Sequence, residues 1–313
     1  MAHVDAGKTT LTERLLYAAG VIDELGSVDK GTTQTDSLAL EQQRGITIKS
    51  AVVSFAIDDV VVNLIDTPGH PDFIAEVERV LSVLDGAVLV ISAVEGVQPQ
   101  TRILMRALKR LRIPTLLFVN KIDRVGADSE RVLEEIRRKL TPAVVPLTSA
   151  RREGTRGAGV GARAEGDLVD VLAERDDALL AAYVDDRGVS SERVRDALAA
   201  QSRQALVHAV FSGSALTGAG VDLLTAGIAE LLPAAAGNRE APASGLVFKI
   251  DRGPSGDRIA YVRMFSGTLR TRDRVRFGGE GEGKVTAISV FANGVAVQRP
   301  AVAAGEIAKV WGL

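Results

Sequence analysis

The sequence predicts an α/β unit, with a mostly parallel sheet and helices on both faces, followed by a smaller all-β barrel or sandwich. Three observations carry this. Short apolar runs alternate with amphipathic stretches through residue 232, the pattern of strands buried on both faces and linked by helices. A Gly-containing segment, Ala2-His3-Val4-Asp5-Ala6-Gly7-Lys8-Thr9-Thr10, opens the first predicted helix. Beyond the Pro- and Ala-rich stretch 233–242, only short apolar alternation broken by turns remains.

The elements follow in order. After the first helix, residues 26–43 are polar with little apolar periodicity and read as a long loop, a class that is usually functional or disordered. Residues 50–57 and 60–65 read as strands joined into a hairpin by Asp58-Asp59. Phe73, Val77, Val80, Leu81 and Leu84 recur at helical spacing, and Ala87-Val88-Leu89-Val90-Ile91 has the character of a buried parallel strand. A helix at 98–111, a strand at 115–119 and a helix at 129–140 repeat the pattern. Residues 148–167 turn to Arg, Gly and Ala with almost nothing to bury, which predicts a flexible excursion. Helix-like stretches at 172–183 and 192–206, a strand at 209–212 and a helix at 221–232 complete the unit. The division expected is a nucleotide-binding unit at 1–235 with a variable excursion at 148–206, a linker at 236–244 and a β domain at 245–313. Within the β domain, strands are expected at 246–250, 258–265, 275–277, 284–290 and 307–310.

Composition narrows the function classes. A chain of 313 residues that is 46% hydrophobic can bury two cores. It has no apolar run of membrane-spanning length and no signal-peptide pattern at its start, so a cytoplasmic protein without a membrane partner is expected. The absence of cysteine excludes disulfides, thiol catalysis and thiolate metal sites, leaving oxygen ligands as the obvious metal chemistry. A net charge of −2 gives no whole-chain footprint for nucleic acid. Arg102, Arg106, Lys109, Arg110 and Arg112 nevertheless crowd one predicted helix, as a solvated face or a docking patch.

Three motifs carry chemistry. The first has the form of a phosphate-binding loop, although Ala2 stands where the general pattern has Gly. Backbone N–H groups of Asp5, Ala6, Gly7 and Thr10 would cradle phosphates, Lys8 would reach the β/γ-phosphates, and the Thr9 hydroxyl would meet Mg²⁺. The second is Asp66-Thr67-Pro68-Gly69-His70 at a strand's carboxyl end. Asp66 can hold Mg²⁺ through water, and Gly69 can bring its N–H to a γ-phosphate because no side chain intervenes; an Asx-type turn is the bland alternative. The third is Asn120-Lys121-Ile122-Asp123, again after a buried strand. The Asp123 carboxylate can accept from guanine N1–H and the 2-amino group, which adenine cannot offer. The Lys121 stem can cover the base, Asn120 can tie loops together, and N–H groups near Ser214-Ala215-Leu216 can meet guanine O6. Of the other histidines, His208 reads as an ordinary packed or surface residue and His3 as structural.

Together these motifs resemble those of translation-factor GTPases, in which Ala at the first P-loop position is usual in the elongation factor G branch. Arg44-Gly45-Ile46-Thr47-Ile48 resembles the first switch, with Thr47 matching the residue that ligands Mg²⁺ and senses the γ-phosphate. Leu25-Gly-Ser-Val-Asp-Lys-Gly-Thr-Thr-Gln-Thr-Asp36, Leu81-Ser-Val-Leu-Asp-Gly86 and Gln100-Thr-Arg-Ile-Leu104 look most like the ribosomal protection proteins that confer tetracycline resistance. The resemblance is strong through Arg124, weak over 150–206, and returns at Gly213 and through the β domain.

The resemblance implies a P-loop GTPase domain followed by a translation-factor-type barrel that docks on ribosomal RNA. GTP would be the substrate, Mg²⁺ the cofactor, and the ribosome, RNA and protein, the partner of a monomer. His70 matches the residue that orients the attacking water, and Asp5 matches a holder of a monovalent cation, with a loop-stabilising acceptor as the alternative reading. Two other functions stay open: an elongation factor G-like translocation factor, or a truncated GTP-binding module that docks on the ribosome with negligible activity alone. In the family a buried strand precedes the P-loop, where this sequence has only Met1. Losing four or five apolar side chains at about 1.5–3 kcal/mol each would remove roughly 6–15 kcal/mol. A truncated or mis-assigned reading frame that folds poorly as written is therefore expected.

Overall fold

Helix α1 (Lys8–Ala18) opens the computed structural model, which describes residues 1–26, 50–70, 73–163, 166–184, 189–235, 237–253, 256–278 and 281–313. The expected loop at 26–43 and the expected switch with Thr47 lie outside these residues, apart from Gly26. An antiparallel hairpin, β1 (Ala51–Ile57) and β2 (Val60–Asp66), pairs from Ala51↔Asp66 to Ile57↔Val60 around the Asp58-Asp59 turn. There follow α2 (Ile74–Leu81), β3 (Ala87–Ser92), α3 (Pro99–Arg110), β4 (Thr115–Asn120), α4 (Ser129–Lys139) and β5 (Val144–Pro146). A second hairpin, β6 (Thr148–Arg151) and β7 (Gly159–Ala162), leads into α5 (Gly166–Ala173), α6 (Asp177–Val184) and α7 (Ser191–Arg203). Strand β8 (His208–Ser212) and α8 (Val221–Leu231) close the unit.

Four strands form one parallel sheet in the order β3-β4-β8-β5. Because successive side chains point to opposite faces, the sheet feeds two cores. Leu116, Phe118, Val145, Ala209 and Phe211 pack with α1 and with α5 to α8. Leu89, Ile91, Leu117, Val119, Val144 and Val210 pack with α2, α3 and α4. Helices therefore cover both faces. The β1–β2 hairpin is a ladder of its own among the described strands, set by Val53, Phe55 and Ile57 into the first core. Met1 and Ala2 run beside β3, with the Val90 N–H donating to Met1 O at 2.9 Å.

Two expectations are corrected here. Residues 148–162, read from composition as a flexible excursion, are a four-rung hairpin from Thr148↔Ala162 to Arg151↔Gly159. Ala158 and Val160 add apolar contacts to the second core, and backbone pairing supplies what the side chains lack. The stretch 172–183 is not one helix. It breaks after Ala173, and the Asp176 carboxylate accepts from the Leu179 N–H at 3.0 Å to start α6.

The second unit is all antiparallel. Strands β9 (Ser244–Arg252), β10 (Arg258–Ser266), β11 (Thr268–Arg270), β12 (Arg274–Phe277), β13 (Gly281–Lys284), β14 (Ala287–Ala292), β15 (Val295–Gln298), β16 (Ala301–Ala303) and β17 (Ile307–Trp311) follow in order. They form a five-stranded sheet, β15-β14-β17-β10-β9, and two ladders, β11–β16 and β12–β13. Val262, Met264, Val285, Ile288, Val302 and Val310 are among its core. The single strand expected at 284–290 is divided, because the Val285 N–H bonds Asp273 O and the Thr286 N–H bonds Trp311 O.

A small mixed core joins the units. Val52, Val80 and Val83 of the first meet Phe248, Tyr261, Phe291 and Ile307 of the second. Around it Lys249 Nζ donates to Ser50 O at 2.8 Å, and the Gly294 N–H donates to Ser54 O at 2.7 Å. The buried Arg263 guanidinium bonds Val83 O and lies 2.6 Å from Asp85 Oδ1. Among the described residues no helix is long and apolar enough to cross a membrane.

Candidate functional site

The site begins at the start of α1. Gly7, the N-cap, has φ +87°, a left-handed conformation that L side chains rarely adopt, and a Cβ there would overlap Asn120 Nδ2. Among the described residues no side chain caps the helix, so its first-turn N–H groups and the positive end of its dipole face the loop, an arrangement suited to an anion. Thr9 and Thr10 are half-buried in that turn, and Asp5, φ +61°, is exposed in the loop.

Lys8 reaches across to β2. Its Nζ lies 2.5 Å from Asp66 Oδ1, with both side chains largely buried. Asp66 Oδ2 is also buried and has no hydrogen-bond partner among the described residues. A buried carboxylate oxygen left so is costly unless something else meets it, and a hydrated divalent cation fits. The next residues press on the P-loop. A Cβ on Gly69 would sit 3.2 Å from Ala2 O and 3.3 Å from His3 O, which makes glycine the fitting residue for so close an approach. His70 follows, its ring 5.9 Å from that of Phe73.

Asn120, at the carboxyl end of β4, binds the site together. Its Nδ2 donates to Ala6 O at 2.8 Å, and its Oδ1 accepts from the Ala215 N–H at 2.9 Å. The P-loop and the 214–216 loop are thus tied through one buried amide. Lys121 has φ +70° and pairs with Glu95 at 3.5 Å. Burial would raise the Glu95 carboxyl, but bonds from Ser92 and Lys121 outweigh it and hold the group below the usual range. Asp123 is buried, as are Ser214 and Ala215, whereas Leu216 exposes 57% of its surface. A guanine reader would use the backbone at 216, so that exposure does not conflict with the expectation.

Of the sequence-derived residues, Ala6, Gly7, Lys8, Asp66, Gly69, Asn120, Ala215 and Leu216 are drawn into one contact network; Thr47 lies outside the described residues. The sequence reading missed Arg14. Its Nε donates to Ala215 O at 2.9 Å, and a second guanidinium nitrogen donates to Leu216 O, so α1 grips the far loop directly. No local signal marks this contact, because its partners are about 200 residues away in sequence. His3 and His208 are buried among protein contacts. His3 Nδ1 lies 3.1 Å from Thr101 Oγ1, and the His208 Nδ1 donates to Thr115 O at 3.1 Å; burial lowers the pKa of both.

Comparison with known proteins finds relatives of both units. Residues 1–234 match the family described as elongation factor Tu GTP binding domain, and residues 242–313 match elongation factor G domain 2. The chain is 56% identical to the oxytetracycline resistance protein of Streptomyces rimosus, over 100% of this chain and 50% of that one. It is 51% identical to a tetracycline resistance protein of Streptomyces lividans, over 92% and 46% of the two chains. It is 44% identical to one from Clostridium perfringens, over 100% and 49%. A crystal structure of a protein from Thermus thermophilus aligns with TM-score 0.83 and 26% identity, over 99% of this chain and 51% of that one. The chain spans about half the length of the curated relatives it matches.

Proposed function

The chain belongs to the elongation factor Tu GTP binding domain family, and on that premise we propose that it is a GTP-hydrolysing ribosomal protection factor acting in tetracycline resistance. The observation that supports the reading is the Asn120 side chain, which hydrogen-bonds both the Ala2–Thr10 loop and the 214–216 loop. The names of its relatives supply the resistance role.

In this reading the N–H groups of Asp5, Ala6, Gly7 and Thr10 and the Lys8 ammonium hold the phosphates, which favours positioning and charge neutralisation over covalent chemistry. Lys8 is shared between Asp66 and the phosphates, so nucleotide entry competes for the existing ion pair. Thr9, Thr47 and, through water, Asp66 would hold Mg²⁺; the bound cation neutralises charge on the β- and γ-phosphates. Asp123 accepts from the guanine edge, Lys121 covers the base, Asn120 fixes both loops, and backbone at Ser214, Ala215 and Leu216 meets O6. Gly69 approaches the γ-phosphate, His70 orients the attacking water, and Asp5 stabilises the loop or a monovalent cation. The same reading has the protein working as a monomer in the cytoplasm, with the β domain on ribosomal RNA.

The test is the GTPase rate of the purified chain with and without ribosomes, alongside GDP affinity. Stimulation by ribosomes is expected. GDP binding without stimulation would leave a GTP-binding ribosome-docking module instead, and growth of expressing cells on tetracycline separates resistance from a translocation role.

A further inference from the structure

The hairpin β6–β7 touches both loops that frame the base, and at each it does so through polar atoms. At its root, the buried Thr148 Oγ1 accepts from the Ser212 N–H at 2.7 Å, directly before the 213–216 loop. At its tip, the Gly154 N–H donates to Ile122 O at 2.8 Å, inside the Asn120–Asp123 motif. Next to it the Glu153 carboxylate accepts from the Ser129 N–H, at 3.0 and 3.3 Å to its two oxygens, fixing the start of α4 just after that motif. Val160 and Ala158 lie in the same core as Ile122 and Val210. The two base-side loops come from strands about 90 residues apart in sequence, and this hairpin spans from one to the other.

We infer that the β6–β7 hairpin is a brace that sets the spacing of the two base-reading loops, with Thr148 and Glu153 as positioning residues for guanine specificity. The inference rests on the GTP-binding reading above. A carboxylate that must meet both N1–H and the 2-amino group tolerates little displacement, since distance and angle decide whether a hydrogen bond exists. Neither Thr148 nor Glu153 needs to touch the nucleotide for its loss to be felt at the base.

The brace is tested by titrating the full chain with GDP and with inosine diphosphate, which lacks the 2-amino group. Thr148→Val removes the root acceptor and Glu153→Ala the tip acceptor. Each is expected to weaken GDP by about five- to tenfold, the scale of one buried hydrogen bond, and inosine diphosphate by less than about twofold, so the preference for GDP falls. Thr148→Ser and Glu153→Gln keep an acceptor and are expected to restore the preference. If Thr148→Val does not fold, Glu153→Ala at the surface turn carries the test. An unchanged preference in the folded variants overturns the brace, as does equal weakening of both nucleotides. Failure of the unmodified chain to bind GDP overturns the GTP-binding reading itself, and the brace with it.

Discussion

The two sides of the site are built differently. On the base side, Asn120, Ala215, Arg14, Thr148, Gly154 and Glu153 satisfy one another or their neighbours, and buried loops are held by hydrogen bonds from elements far away in sequence. On the phosphate side, no side chain among the described residues caps the start of α1, and Asp66 Oδ2 and Thr67 Oγ1 are buried without a partner among the described residues. Buried polar atoms are normally paired, and a helix start with such a carboxylate beside it suits a phosphate and its cation. One side is a frame tied by hydrogen bonds among distant elements; in the proposed reading the other is completed by nucleotide.

The largest test of that contrast is Lys8→Ala without nucleotide. It strips Asp66 of an ion pair in a buried setting and is expected to cost about 3–5 kcal/mol in urea unfolding; a loss under about 1 kcal/mol would mean that the carboxylate is already hydrated. Asn120→Ala comes next, at about 2–4 kcal/mol, because it orphans both Ala6 O and the Ala215 N–H. Adding GDP is expected to recover little of that loss, since the damage lies in the frame. A smaller effect concerns pH. His3 and His208 are held below their ordinary value of 6.5 by burial, so below pH 6.5 the unfolded chain takes up protons that the folded chain refuses. The histidines' share of stability is therefore full above 6.5 and declines as pH falls, until the folded imidazoles also protonate. The buried Met1 amine, its pKa lowered from 8.0 to about 5, adds a loss of the same sign that begins near pH 8. Urea midpoints that do not move between about pH 7.5 and 5.5 would refute this. Smallest is Leu216→Ala, expected to change stability by under about 0.5 kcal/mol because the side chain is exposed. A large loss there would give Leu216 a place in the frame.

The sequence made some of this readable and hid the rest for definite reasons. The apolar runs at Ala87–Ile91 and Thr115–Val119 announced buried parallel strands because both of their faces are covered. Strand β5 has three residues and ends on Pro146, too short for any periodicity to register. The β6–β7 hairpin is Gly- and Arg-rich, and what orders it is a set of partners at Ile122, Ser129 and Ser212 that no local pattern can name. The motif residues were legible by type and spacing, and the tie made by Asn120 could be guessed from its chemistry. Arg14 could not, since an arginine on a helix ordinarily means a solvated face.

The mixed core between the units has a thermodynamic consequence. Lys249 bonds Ser50 just before β1, Gly294 bonds Ser54 within it and Arg263 bonds the turn after α2, while Val52, Val80 and Val83 pack on the β domain, so neither unit can melt without uncovering apolar side chains of the other. Two family modules joined by a linker would ordinarily give two calorimetric peaks. Here a scan should give one, and Arg263→Ala should split it.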